Sequence, residues 1–221
     1  IQAYNCELYA IAGRSIDKAE QFKEKFGFEK AYGSYKELLD DPEVEAVYIA
    51  LPNTLHYEWA VKAMESGKHV LCEKPLAPCE KQVKELFDTA KENHVYLMEA
   101  FAYQHSPYIT AIKKEIEDGT IGEVCYIDSA FITSDYNKEN IRMRRETLGG
   151  CTYDLGVYST SLTLGLLNEE PAKVEASAIF SEEKIDKLTS VVMEFADGKK
   201  AAFTCGMTLA TDQDRRLDRL E

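Results

Sequence analysis

The sequence lacks several features that would indicate particular classes of protein. Among its 221 residues, acidic side chains outnumber basic ones by 39 to 26, and the formal net charge is −13. Because a nucleic-acid backbone is bound by a basic face, this balance argues against a nucleic-acid partner. The sequence contains no apolar run of membrane-spanning length and opens with no signal peptide, so we expect no membrane partner.

The cysteines do not have the spacing of a metal site. No two of them form a C-x-x-C pair, and none lies near histidine at the spacing of zinc ligands, so we predict no metal. Reduced thiols in a cytoplasmic protein are the simplest account of them. The six are Cys6, Cys72, Cys79, Cys125, Cys151 and Cys205.

What the sequence does contain is organised around residues 67–75, which read GKHVLCEKP. The apolar run Val70-Leu71-Cys72 predicts a parallel strand that is buried on both faces. Ligands of open parallel sheets lie outside the carboxyl ends of the strands, so Glu73 and Lys74 would reach the rim of a crevice. The alternative is an ordinary strand followed by a solvated ion pair and a turn.

The order of the predicted elements indicates two domains. Strands and helices alternate over residues 1–105, which is the pattern of an α/β, doubly wound, Rossmann-like parallel sheet. Over residues 106–221 strand signals dominate, with a helix over 154–167 and a hairpin signature at Asp197-Gly198. We expect this second part to be an α+β domain with a mainly antiparallel open sheet.

A glycine-rich dinucleotide loop is missing. A dinucleotide-binding fold begins with a strand, the motif G-x-G-x-x-G and a helix, and this motif does not occur. Either the fold does not bind a dinucleotide, or the chain begins at what would be the second strand, without the first βα unit. In the latter case we expect the 221-residue chain itself to bind the cofactor weakly and to have little activity.

Five blocks of sequence point to a family when they are taken together. They lie at 12–15, 51–56, 67–75, 99–101 and 149–158, and they include Glu73-Lys74-Pro75 and, about 80 residues later, Asp154-x-Gly-x-Tyr158. With these blocks the chain resembles the glucose-fructose oxidoreductase, inositol dehydrogenase and rhizopine-catabolism (Gfo/Idh/MocA) family of NAD(P)-dependent oxidoreductases. Family members are longer at both ends, so the resemblance implies the middle two-thirds of such a protein.

The resemblance implies hydride transfer between a nicotinamide cofactor and an alcohol or carbonyl of a sugar, polyol or dihydrodiol. In that reading Lys74 lies beside the reacting oxygen, Tyr158 donates or accepts the proton, and Asp154 shares the helical face of Tyr158. Tyrosine rather than histidine at 158 is similar to the glucose-fructose oxidoreductase, xylose dehydrogenase and dihydrodiol dehydrogenase branch. Two alternatives stay open: Tyr158 is one more of 13 tyrosines, and the protein is a non-catalytic, nucleotide-sensing relative of the same fold.

The first strand bears on the choice of cofactor. An NAD-binding site places an acidic residue at the end of the second strand of the fold, but this sequence has Gly13 there, followed by Arg14 and Ser15. A guanidinium and a helix N-terminus both suit a phosphate, so we predict NADP, with NAD as the alternative. Arg14 could equally be a solvated side chain.

Other cofactor contacts follow from the resemblance alone. It implies that Glu73 accepts from ribose hydroxyls and that Pro52, Asn53 and His56 lie beside the nicotinamide half. His56 could equally be a hydrogen-bonded histidine at the start of a helix. The resemblance also implies a homodimer formed through the sheet of the second domain.

Two further features have no assigned role. Tyr103 could line a substrate pocket or pack in the core. Three arginines, Arg142, Arg144 and Arg145, form a basic cluster in an acidic chain and could face solvent or a substrate.

Overall fold

The structure is a computed structural model that describes residues 5–134, 137–209 and 216–220. The chain divides into two compact units. The first comprises the residues up to Ala50, His56–Cys72 and Cys79–Met98, and the second comprises Leu51–Leu55, Glu73–Pro78 and the residues from Glu99 onward. The domain boundary near residue 105 stays a prediction.

Strands and helices alternate through the first half of the chain. β1 and β2 pair in parallel, and β3, β4 and β5 form a second sheet in which β3 and β4 are parallel. The predicted Rossmann-like class is therefore confirmed. The elements are β1 (Ala10–Ala12), α1 (Ile16–Phe26), β2 (Lys30–Tyr32), α2 (Tyr35–Asp40), β3 (Ala46–Ile49), α3 (Asn53–Glu65), β4 (His69–Cys72), α4 (Glu80–Glu92) and β5 (Leu97–Glu99).

Local sequence accounts for several helix ends. Gly27 ends α1 in the left-handed region at φ 78°, a conformation that glycine adopts without steric cost. The Ser34 hydroxyl accepts a hydrogen bond from the Glu37 N–H at 3.2 Å and so caps α2. Ser15 precedes α1 in an extended conformation, but its side chain makes no capping hydrogen bond.

A polar cluster ties β2 to the end of α2. The Asp41 carboxylate accepts from the Tyr32 hydroxyl at 2.6 Å and from the Lys30 ammonium at 2.9 Å. These two hydrogen bonds hold the pKa of Asp41 well below its usual value. The buried Lys68 ammonium donates to the Asp41 carbonyl at 2.7 Å.

The prediction that β4 is buried on both faces is wrong. Val70 and Cys72 are buried, but Leu71 is 38% exposed, and Tyr48, its partner on β3, is 59% exposed. Successive side chains of a strand point to opposite faces. Within the described residues, one face of this sheet is therefore covered and the other is open.

The second unit is built on a five-stranded sheet. The strand order is β10-β6-β9-β8-β7, and every neighbouring pair is antiparallel except β6 with β9. The predicted mainly antiparallel sheet and the hairpin at Asp197-Gly198 are confirmed. The elements are α5 (Pro107–Glu117), β6 (Tyr126–Ser134), α6 (Val157–Leu167), β7 (Lys173–Phe180), β8 (Asp186–Glu194), β9 (Lys200–Leu209) and β10 (Arg216–Leu220).

The helix predicted over 154–167 has an irregular first turn. Residues Thr152–Gly156 form a π-helical turn that runs directly into α6, and we call the whole segment, Thr152–Leu167, the site helix. Its start packs on one face of the sheet, where Cys151, Leu155, Phe203 and Cys205 belong to one buried cluster. Within the described residues, no helix has the length and apolar character needed to span a membrane.

Candidate active site

Lys74 and Asp154 form an ion pair within the second unit. The Lys74 ammonium lies 3.0 Å from Asp154 Oδ1 and 2.5 Å from the Asp154 main-chain carbonyl oxygen. Both side chains are only 11% exposed. Arg142 Nε donates to the other carboxylate oxygen, Oδ2, at 2.9 Å. Each oxygen of the Asp154 carboxylate is therefore hydrogen-bonded to a cation, which makes it a fixed anchor for Lys74.

Tyr158 lies beside this ion pair. The Lys74 ammonium is 4.9 Å from the centroid of the Tyr158 ring, which is the geometry of a cation–π contact. The rings of Phe101 and Phe131 lie 5.5 Å from that of Tyr158, and the ring of Tyr103 lies at 6.2 Å. The structure thus brings Lys74, Asp154 and Tyr158 together, whereas their convergence on one substrate oxygen stays a prediction.

Tyr103 is held in place by α6. Its hydroxyl donates to the Ser161 hydroxyl at 2.8 Å, and its ring contacts Phe101 as well as Tyr158. Tyr103 is therefore part of an aromatic wall around Tyr158.

Two glycines allow the loop before the site helix to fold tightly. The N–H of Gly149 donates to the Arg144 carbonyl and that of Gly150 to the Arg142 carbonyl, both at 2.9 Å. A Cβ atom at Gly149 would overlap the Arg142 carbonyl, and one at Gly150 would overlap the Asp186 carboxylate. Glycine at positions 149 and 150 therefore allows the loop to fold closely enough for Arg142 to contact Asp154.

The turns at the strand ends are anchored in the same unit. Asn53 Nδ2 donates to the Leu148 carbonyl at 2.9 Å, and this places Pro52-Asn53 against the loop before the site helix. Glu73 is half-buried and accepts from the Lys74 N–H at 3.3 Å. The Lys74–Pro75 peptide bond is cis. The Leu76 N–H that follows donates to the Glu99 carboxylate at 2.7 Å.

The other predicted cofactor residues lie in the first unit. Arg14 and Ser15 are exposed at the N-terminus of α1, directly after β1. His56 is fully buried in α3, with 0% of its surface exposed. Its role toward a cofactor stays a prediction.

Sequence reasoning missed three residues at the site. The sequence places Arg142 only in a basic cluster, and nothing in the positions of Arg142 and Asp154 along the chain predicts that they pair. The sequence gives no role to Asp186 and places Cys151 only among the reduced cysteines; the Cys151 thiol lies 3.1 Å from the Asp186 carboxylate. The contact between the Cys151 and Cys205 sulfur atoms and burial raise the pKa of the Cys151 thiol, so it remains neutral. Among the described residues, no cluster of three or more His, Cys, Asp or Glu could hold a metal ion.

Comparison with protein families supports the same reading. Residues 2–101 match the family described as "Oxidoreductase family, NAD-binding Rossmann fold", and residues 109–218 match the "GFO/IDH/MocA C-terminal domain". An uncharacterized oxidoreductase of Rhizobium meliloti is 39% identical over 211 residues, which are 95% of this chain and 63% of the relative. A trans-1,2-dihydrobenzene-1,2-diol dehydrogenase of Xenopus tropicalis is 32% identical over 96% of this chain and 64% of its own length.

Two solved structures share the fold. KijD10, a 3-ketoreductase from Actinomadura kijaniata in complex with NADP and TDP-benzene, superposes with a TM-score of 0.84 at 34% identity, over 92% of this chain and 63% of that one. A levoglucosan dehydrogenase in complex with NADH and levoglucosan gives a TM-score of 0.85 at 25% identity, over 96% and 61%. The chain therefore spans less than two-thirds of the length of these relatives. Across both halves of its sequence and in its fold, the chain belongs to the Gfo/Idh/MocA family of oxidoreductases.

Proposed function

We propose that the chain is the cofactor- and substrate-binding part of an NADP-dependent dehydrogenase or reductase. Its substrate would be an alcohol or carbonyl of a sugar, polyol or dihydrodiol, as in the relatives named above. The observation that carries the proposal is the Lys74 ammonium, held by Asp154 and in contact with the ring of Tyr158. The nicotinamide, when bound, supplies the group that accepts or gives the hydride.

The geometry supports different roles for the three residues. Both oxygens of Asp154 are hydrogen-bonded to cations, so this residue orients Lys74 and does not take the proton. An ammonium about 4 Å from a developing oxyanion stabilises it by about 4 kcal/mol at an effective dielectric constant near 20. Tyr158 then remains as the group that transfers the proton, a contribution of typically about 10²–10⁴ in rate.

Activity measurements test these roles directly. Because the 221 residues lack the glycine-rich loop and are expected to have little activity by themselves, the assay uses the protein extended to the length of its relatives, with NADP⁺ or NADPH and a panel of aldoses, polyols and trans-dihydrodiols. We expect Lys74→Met and Tyr158→Phe each to lower kcat/KM by about 10² or more. Tyr108→Phe, at a tyrosine that is 70% exposed, is the matched control and should leave kcat/KM unchanged.

Retained turnover in Lys74→Met would contradict the proposed role of Lys74. Tight NADP⁺ binding with no turnover across the whole panel would favour the second candidate, a non-catalytic nucleotide sensor. No observation favours that candidate, because Lys74, Asp154 and Tyr158, the residues proposed for the reaction, are all present and lie together.

The exposed Arg14 and Ser15 at the start of α1 support the choice of NADP, since a guanidinium and free helix N–H groups suit a phosphate. We propose that Glu73, Pro52, Asn53 and His56 serve the rest of the cofactor. Arg14→Ala should weaken NADP⁺ binding by about tenfold or more and leave NAD⁺ binding within about twofold. Lys25→Ala, in the last turn of α1, is the charge-matched control. Equal loss for both cofactors would contradict a phosphate contact.

The open face of the five-stranded sheet supports a homodimer. Ile179 on β7 is 62% exposed, and Val192 on β8 is 45% exposed on the face away from the core. We propose that this face pairs with that of a second copy. Val192→Lys should convert a dimer to a monomer in sedimentation equilibrium, whereas Ile121→Lys, at a loop residue that is 63% exposed, should not. The described cysteines form no disulfide bond, which supports the proposal of a cytoplasmic location.

A further inference from the structure

Asp186, the first residue of β8, holds the beginning of the site helix from a distant part of the chain. Its Oδ2 atom accepts hydrogen bonds from the Thr152 N–H at 2.8 Å and from the Thr152 hydroxyl at 2.7 Å. It also accepts from the Cys151 thiol at 3.1 Å and from the Thr189 hydroxyl at 3.2 Å. Four donors on three residues therefore converge on one carboxylate oxygen.

The site helix needs such a partner. The first N–H groups of a helix have no acceptor within the helix, and a negative charge there is favourable. Cys151, the residue that precedes the π turn, makes no capping hydrogen bond with its side chain. Asp186 supplies the missing acceptor and the charge, although it lies 34 residues away from Thr152 in sequence.

Gly150 makes room for this carboxylate. A Cβ atom at position 150 would overlap Asp186 Oδ1, and Gly150 has φ 119°, which is strained for any other residue. The second glycine of the Gly149-Gly150 pair therefore serves the Asp186 contact as much as the loop itself. The thiol of Cys151, kept neutral by its raised pKa, is available as a donor.

The turn that Asp186 holds is the one that carries the anchor of Lys74. Asp154 is the third residue of the π turn, and both its carbonyl and its carboxylate accept from the Lys74 ammonium. We infer that Asp186 is a positioning residue of the proposed reaction, which fixes the first turn of the site helix and thereby the placement of Lys74 against Tyr158. This inference rests on the proposed function for its kinetic consequence, but the positioning itself is measurable without turnover.

The test compares Asp186→Ala and Asp186→Asn with the charge-matched control Asp197→Asn. Asp197 lies in the β8–β9 hairpin, and among the contacts described its carboxylate binds only Lys199. Asparagine keeps an oxygen that can accept the Thr152 N–H, so it should rescue part of the effect of alanine. Thr152→Val, which removes one hydroxyl donor, is a milder variant in case Asp186→Ala does not fold.

Two measurements need no substrate. Amide hydrogen exchange over residues 152–158 should be about tenfold faster in Asp186→Ala, with exchange in β9 unchanged. The ¹³Cζ resonance of Tyr158, assigned with Tyr158→Phe, should shift or broaden in Asp186→Ala and stay in place in Asp197→Asn. Exchange that accelerates equally in β9, or an unmoved Tyr158 resonance, would overturn the positioning role.

The kinetic measurement is expressed per cofactor-binding site, so that unfolded protein does not count. We expect kcat to fall by about tenfold or more in Asp186→Ala and less in Asp186→Asn, with KM within about twofold of the wild type. A wild-type kcat in Asp186→Ala would overturn the inference and leave the proposed function intact. Absence of turnover in the wild-type protein extended to the length of its relatives would instead count against the proposed function, while the exchange and resonance measurements would still decide the positioning role.

Discussion

Replacing Lys74 and Asp154 singly and together should reveal a coupling free energy far above that of a surface ion pair. The two charges are 3.0 Å apart and each side chain is 11% exposed. At that separation and an effective dielectric constant of about 20, the Coulomb attraction is about 5.5 kcal/mol. Solvent screening and the neighbouring Arg142 guanidinium reduce this attraction, and we expect a coupling of about 2 kcal/mol in the free energy of unfolding, within the range of about 0.5–3 kcal/mol found for residues in contact.

Arg142 modifies the cost of the single changes. In Lys74→Met the Asp154 carboxylate keeps the Arg142 guanidinium at 2.9 Å, so it is not left as an isolated buried charge. The single change should therefore destabilise by about 1–3 kcal/mol, below the about 3–5 kcal/mol typical of an orphaned partner. Arg142 is 41% exposed, so Arg142→Gln should cost less than Lys74→Met.

The assay is urea unfolding of the wild type, Lys74→Met, Asp154→Asn and the double variant, with equal m-values as the condition for comparing them. Lys114 on α5 and Asp118, the residue that follows this helix, form an exposed pair in the same unit and provide the control cycle. Their coupling should be about 0.3–0.5 kcal/mol. A Lys74–Asp154 coupling no larger than that of the control pair would refute the reasoning, because it would show that the buried contact does not persist in solution.

Three further predictions concern stability. The depressed pKa of Asp41 means that its stabilising effect is fully present above its ordinary pKa of 3.8 and is lost progressively as the pH falls from that value through the lower pKa of the folded state. Asp41→Asn should therefore destabilise the protein at pH about 7 and do so progressively less as the pH is lowered below about 4 in denaturation curves. Gly150→Ala should lower the free energy of unfolding, measured in urea, by about 3 kcal/mol. Gly165→Ala, at an exposed helix position where an added Cβ atom would meet nothing within 4 Å, should raise it by about 0.5–1 kcal/mol. Ser34→Ala should lower the free energy of unfolding by about 1 kcal/mol, because it removes a helix cap. Ser15→Ala removes no cap, so it should leave the thermal midpoint unchanged, but it should weaken NADP⁺ binding.

Local sequence signals were sufficient for most of the elements of the first unit, but they did not predict the short strand β2 (Lys30–Tyr32). Hydrophobic runs of three to five residues located β1, β3 and β4, Gly27 marked the end of α1, and Asp197-Gly198 marked a hairpin. In these cases the signal lies within a few residues of the feature that it predicts. That Lys74 and Tyr158 share a site followed instead from the family resemblance, because two short motifs about 80 residues apart were present together.

Features that depend on contacts between distant segments could not be predicted in this way. The π turn at Thr152–Gly156 accompanies the Asp186 carboxylate, which no local pattern links to Thr152. The exposure of Leu71 depends on which elements cover each face of the sheet, and an apolar triplet in the sequence cannot show that. The pairing of Arg142 with Asp154 requires the tight return of the loop at Gly149.

The number of donors on Lys74 leads to one last prediction. An ammonium has three N–H groups, and in the contacts described two of those of Lys74 are directed to the carbonyl and carboxylate of Asp154, which leaves the third for the proposed contact with a substrate oxygen. Arginine keeps the charge but presents its donors in a rigid planar fork, which cannot reproduce this arrangement. Lys74→Arg should therefore retain more stability than Lys74→Met in urea unfolding but show a kcat/KM as low as that of Lys74→Met. Recovery of kcat/KM to within about threefold of the wild type would mean that charge alone, and not the direction of one N–H group, is what the site requires.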